Sequence, residues 1–176
     1  MDLSEPEWTA ILLSLKVAAL AAAASLPFGV MVAWALARRD FPGKTLVNGL
    51  VHLPLVLPPV VTGWVLLIAF GREGPAGRAL AACCGVTLAF RWTGAALAAA
   101  VMAFPLVVRS VRLSIEAVDP RLEQAAATLG APGWRIFATV TLPLALPGVL
   151  AGLILSFAKA IGEFGATITF VANIPG

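Results

Sequence analysis

The sequence predicts an all-α fold, a polytopic transmembrane helical bundle, and three observations carry the prediction. Hydrophobic residues make up 60% of the 176 residues and charged residues only 12%, with a mean hydropathy of +0.97. Soluble domains carry roughly 25% charged residues, and a soluble fold of this length has no interior large enough for so much apolar surface. The apolar residues are also gathered into segments that match a bilayer core, which takes about 20 residues as helix. In lipid, segments of that length satisfy their backbone only as helices.

Four segments qualify, at about residues 9–37, 46–70, 93–113 and 142–171, within a single domain covering residues 1–176. The first follows an acidic start (Asp2, Glu5, Glu7). A cleavable signal begins with positive charge and has a shorter apolar stretch, so this segment is expected to stay as an anchor. The second contains Pro54, Pro58 and Pro59, followed by Thr62 and Gly63. Interior prolines remove helical hydrogen bonds and clash one turn back, so this segment is expected to kink or unwind. Broken backbone at membrane depth persists inside protein or beside a water-filled cavity. The break is therefore either a packing kink or the lining of a substrate path, where Thr62 offers a hydroxyl. Residues 79–90 are apolar but too short to span, and read as an interfacial turn or re-entrant piece.

Basic residues set the orientation. Arg38, Arg39, Lys44, Arg109, Arg112, Arg121 and Arg135 fall on one side, and Arg72, Arg78 and Arg91 on the other. The richer side is expected to be cytoplasmic, which puts the N-terminus outside.

The last segment carries Lys159 and Glu163, four apart and able to pair on one helix face. On a straight helix of 1.5 Å rise, Glu163 lies about 30 Å from Leu142, near the outer surface, where charge costs little. Pairing is one role for these residues and gating is another. A fixed carboxylate repels an anion, so binding an anionic substrate suits Glu163 poorly. Gly148 and Gly152 form a small-xxx-small pattern suited to close helix contact, within the chain or between two copies.

No catalytic constellation is legible. The chain has one histidine, no tyrosine, two adjacent cysteines (Cys83, Cys84) and no phosphate-binding G-x-x-x-x-G-K-[ST] loop. Adjacent cysteines rarely pair, and metal sites need more ligands, so no metal and no cofactor are expected. His52 lies in an apolar run and reads as a packed histidine. The net charge of +3 suits a membrane protein with basic loops and gives no reason to invoke nucleic acid. An intramembrane enzyme or a proton-coupled carrier needs clustered His, Asp or Glu within the spans, and only Lys159 and Glu163 lie inside one.

The loop at about 114–141 is different. Asp119 suits an N-cap, Pro120 a first turn, and residues 121–129 are mostly good helix formers. Gly130 supplies a stop, with Pro132 beyond. Ala125, Ala126 and Gly130 make a small-residue face that a partner can approach closely. On physics alone the segment is either an interfacial loop helix or a docking element.

Gln124, Ala125, Ala126, Gly130, Val140, Leu142 and Pro143 fall in a pattern that resembles the cytoplasmic loop of the membrane subunits of bacterial ABC importers. That family has Glu where this chain has Gln124, and Glu123 stands beside it, so either one can make the polar contact. The stretches LPLVLPPVVTG, FPLVVRS and GEFGATITFVANIPG are similar to the molybdate importer permeases, and the last favours molybdate over sulfate or thiosulfate. Tungstate is too close to molybdate in size and charge to separate. The resemblance implies an ABC importer permease bundle with a cytoplasmic coupling helix, set in the lipid of the bacterial inner membrane. It implies a permease homodimer, an external oxyanion-binding protein and a separate ATP-binding ABC ATPase that docks on Glu123, Gln124, Ala125, Ala126 and Gly130. It also implies a further spanning helix beyond Gly176.

Overall fold

In the computed structural model, residues 4–163 are described, apart from 86 and 89. The elements are α1 (Glu5–Arg38), α2 (Lys44–Val56), α3 (Pro59–Phe70), α4 (Pro75–Cys84), α5 (Trp92–Ala117), α6 (Pro120–Thr128), α7 (Gly133–Ile136), a π-helical turn (Phe137–Thr141), α8 (Leu142–Leu144) and α9 (Leu146–Ile161). No strand occurs among the described residues.

Three helices form the body: α1, α5 and α9 pack on one another along most of their length. At one end the core holds Ala33 and Leu36 of α1, Val107, Val108, Val111 and Ile115 of α5, and Ala145 and Val149 at the start of α9. Toward the other end it narrows to Ala18, Ala21, Ala99 and Ala160. Methyl-sized side chains let these backbones approach closely, as helices in lipid do. Gly148 and Gly152 seat α9 on α5. A Cβ on Gly148 would collide with the Ser114 side chain and lie 2.7 Å from the Ser110 carbonyl, and one on Gly152 would lie 3.3 Å from Val107 Cα. The small-xxx-small pattern is thus used inside the chain.

α1 and α5 are each long and apolar enough to cross a membrane alone. The second expected span is broken in two. Leu57 and Pro58 each precede a proline and are extended (ψ 142° and 137°), as the steric clash with the following ring requires. The halves α2 and α3 meet at 117° instead of forming one kinked helix. The segment still runs along α5. Asn48 of α2 contacts Arg112, whereas Leu66 of α3 packs against Ala95 and Ala98, far along the same helix. The short apolar piece after it forms α4, which packs on α3 and ends at Gly85 in the left-handed conformation (φ 65°).

The fourth expected span also bends. The stretch Gly133–Leu144 meets α9 at 70°, with Ala145 at the corner and Pro143 and Pro147 on either side. The straight helix expected from Leu142 therefore begins at Leu146 and ends at Ile161. Residues 164–171 of that span lie outside the described residues. Large apolar side chains such as Leu12, Phe28, Met31, Trp64, Ile68 and Ile154 face outward from the bundle, as they do on a surface that meets lipid.

Replacing Gly148 with Leu is expected to overpack the α5–α9 seam, which typically costs about 1–3 kcal/mol. It should lower the heat-resistant fraction of detergent-solubilised protein. Gly133, which has no atom near its missing Cβ, should tolerate Ala with no loss in the same assay.

Candidate functional site

The loop helix forms as its sequence predicts. The Asp119 carboxylate accepts from the Arg121 backbone N–H at 2.9 Å, capping α6. At the other end Gly130 adopts φ 80°. Its N–H donates to the Ala127 carbonyl at 2.9 Å, and the Ala131 N–H donates to the Ala126 carbonyl at 3.3 Å. Those two bonds make a complete Schellman stop. Side chains on one face look out to solvent: Leu122, Gln124, Ala125 and Gly130 are exposed, and no residue of α6 is fully buried. Two large apolar groups stand out beyond it, Leu129 at 89% exposure and Trp134 at 69%.

Glu123 does not share that outward face. Arg38, the last residue of α1, brings Nε to 3.1 Å from the Glu123 carboxylate. The Thr141 hydroxyl, on the π turn, donates to Glu123 Oε1 at 2.6 Å. Arg38 Nη2 also donates to the Val118 carbonyl at 2.9 Å, just past the end of α5. So of the two adjacent polar residues, Glu123 is held against the bundle and Gln124 is free to meet a partner. The expected docking set loses Glu123 from its surface for this reason. Ala126, three residues on, shares the inner face with Glu123 and is half-buried.

The proline break places Pro58 and Pro59 at the surface of the single chain. Thr62, in the first turn of α3, is buried, and its hydroxyl has no hydrogen-bond partner. A buried hydroxyl with nothing to bond is costly, and it is a donor and acceptor held ready.

Lys159 and Glu163 are brought together at 2.8 Å, as their spacing predicts. Their setting differs from the expected one. Glu163 is not a surface charge: its side chain is 2% exposed, whereas that of Lys159 is 35% exposed. The bend at Ala145 shortens the final helix, and Glu163 sits just past its end near the Ala18–Ala21–Ala99–Ala160 seam. A carboxylate shielded in this way depends on its ammonium partner.

His52 is half-buried, with Nδ1 2.8 Å from the Asn48 carbonyl, a packed histidine as its apolar run suggested. Among the described residues, no three of His, Cys, Asp or Glu converge as metal ligands do. Sequence reasoning missed Arg38, Thr141, Leu129 and Trp134 as parts of this region. Leu129 had a signal, a large apolar residue at the end of a polar helix. Arg38 and Thr141 had none, because their partner lies far away in the chain.

A small-residue helical body, two proline-broken segments and a capped polar helix with an exposed face define a polytopic membrane component of a transport system. Residues 25–176 match the family described as binding-protein-dependent transport system inner membrane components, and the chain belongs to that family. It is similar to the molybdenum transport system permease protein ModB of Escherichia coli K12, at 61% identity over the whole chain and 77% of the relative's length. ModB of Haemophilus influenzae is 60% identical over 97% of the chain and 74% of its own length. The sulfate transport system permease protein CysT of E. coli K12 is 42% identical over 84% of the chain and 53% of its own length.

Proposed function

We propose that this chain is the membrane subunit of an ATP-driven importer that carries molybdate across the bacterial cytoplasmic membrane. The observation that supports this most is the identity to ModB along the whole chain, well above that to the sulfate permease. Two copies of the permease enclose the path, and an external oxyanion-binding protein delivers the anion. A separate ABC ATPase hydrolyses ATP, as membership of a binding-protein-dependent transport family supports.

In this reading α6 is the element the ATPase grips. Gln124 makes the polar contact that the family's Glu would make. Ala125 and Gly130 allow close approach, Ala126 keeps the inner face small where α6 meets the bundle, and Leu129 and Trp134 give the apolar area. The cap at Asp119 and the stop at Gly130 keep the helix intact as it is pushed. The proline break lines the path, with the Thr62 hydroxyl turned to the oxyanion. Half-helix N-termini commonly serve anions in this way in transporters. Lys159 and Glu163 form a neutral pair at the edge of the path, suited to closing it rather than to holding substrate.

The test is labelled-molybdate uptake by liposomes holding the full-length permease, its ATPase and the binding protein. Uptake is expected with molybdate, with sulfate competing weakly; equal competition by sulfate would reject the assignment. Ala125→Asp sets a charge on the exposed face of α6 against the ATPase without a partner, and should abolish co-purification of the ATPase while membrane insertion stays normal. Wild-type co-purification in that variant would leave α6 an interfacial loop.

Orientation is checked by single-cysteine labelling in a Cys83/Cys84-free background. Cysteines replacing Lys44 and Arg121 should be shielded in intact cells, and one replacing Glu73 should react. External labelling at position 121 would reverse the topology. In the path, Pro58→Ala with Pro59→Ala should lower uptake at least severalfold with assembly retained, since two removed prolines favour a continuous helix. Unchanged uptake would reduce the break, and Thr62 with it, to a packing feature.

A further inference from the structure

α6 needs a rigid tie to the spanning helices if movement at its surface is to reach them, and few contacts supply one. It buries no residue fully. Among the described residues, its side-chain hydrogen bonds to the rest of the bundle all pass through Glu123. That one carboxylate is reached from two sides. Arg38 comes from the end of α1 and also holds the Val118 carbonyl at the end of α5. Thr141, 1% exposed, comes from the π turn that leads through Ala145 into α9. The Trp34 and Phe137 rings, 5.5 Å apart and edge to face, join α1 to the same turn. The node is therefore reached from the ends of α1 and α5 and from the turn that leads into α9. The Arg38 and Glu123 side chains are 17% and 20% exposed, shielded enough for either charge to be costly once its partner is gone.

We infer that Arg38, Glu123 and Thr141 are positioning residues, a closed latch that passes the displacement of α6 to α1, α5 and α9 together. The inference rests on the reading that an ATPase grips α6. Buried ion pairs contribute little net stability but fix geometry, and fixed geometry is what transmission needs. Glu123 supplies the rigid joint and Gln124 the contact, neighbours in sequence that the helix turns to different sides.

The experiment uses the full-length permease, assembled with its ATPase in liposomes and supplied with the binding protein. Arg38→Ala, Glu123→Gln, Thr141→Val and the Arg38→Ala/Glu123→Gln pair are compared by ATPase co-purification, ATP hydrolysis and molybdate uptake. Each single variant should keep the ATPase, and uptake per ATP hydrolysed should fall roughly two- to thirtyfold, the range for substitutions along a coupling element. The pair should fall no further than its worse member, because both act through one joint. Thr141→Ser should restore coupling. Thr141→Val removes one hydroxyl and no charge, so it reports even if Arg38→Ala fails to assemble. Unchanged uptake per ATP in assembled complexes overturns the latch, as does a loss in the pair that multiplies the two singles. Loss of ATPase co-purification on Glu123→Gln also overturns it, by putting Glu123 on the docking face. Ala125→Asp, on the exposed face and run alongside, separates the two readings. If it alone loses the ATPase while the latch variants couple normally, docking stands and the latch falls. If it co-purifies and couples normally, the docking face is elsewhere and the latch falls with it.

Discussion

The seam of small residues between α1, α5 and α9 is the constraint on which the rest of this structure depends. Lipid offers helices no hydrophobic incentive to associate, so contact has to come from close packing. Ala18, Ala21, Ala99, Ala160, Gly148 and Gly152 supply it by bringing backbones within reach of one another. The seam aligns the three helices, and their ends then fall where Arg38, Val118 and Thr141 can converge on α6. A larger residue in the seam would shift the helices by a fraction of a helical diameter. Hydrogen bonds tolerate only a few tenths of an ångström, so the polar node would feel the shift first.

Proline does the opposite work. It breaks helices where the chain must turn. Pro58 and Pro59 force two successive extended residues, and Pro143 and Pro147 bracket the corner at Ala145. The broken segments keep their backbone groups satisfied by restarting promptly. The Pro58 carbonyl takes the Val61 N–H at 2.9 Å, and the Thr141 carbonyl takes the Ala145 N–H at 2.9 Å. The result is a body of long continuous helices, α1 and α5, flanked by jointed segments.

How much of this was legible depended on range. Asp119 and Gly130 could be read as the limits of α6 because caps are set by backbone geometry within a few residues. The break at Pro58 was legible for the same reason, but its 117° angle was not, since the angle is set by how α3 packs on α5. The inward turn of Glu123 was invisible because its partner Arg38 lies 85 residues away. The burial of Glu163 was not legible because helical rise gives only its depth along the span, whereas its cover comes from packing between helices distant in sequence. The family match was carried by local patterns, which is why it was accessible before any packing was known.

The exposure of Leu129 and Trp134 has a consequence for the life of the molecule before it is assembled. Both side chains project beyond any spanning helix, in a segment too polar to enter the bilayer. Each adds apolar area to water at about 25 cal/mol per Å² until something covers it. On the proposed reading the ATPase covers both groups, so a permease without its partner keeps this apolar area in water, and assembly is favoured by the area it removes.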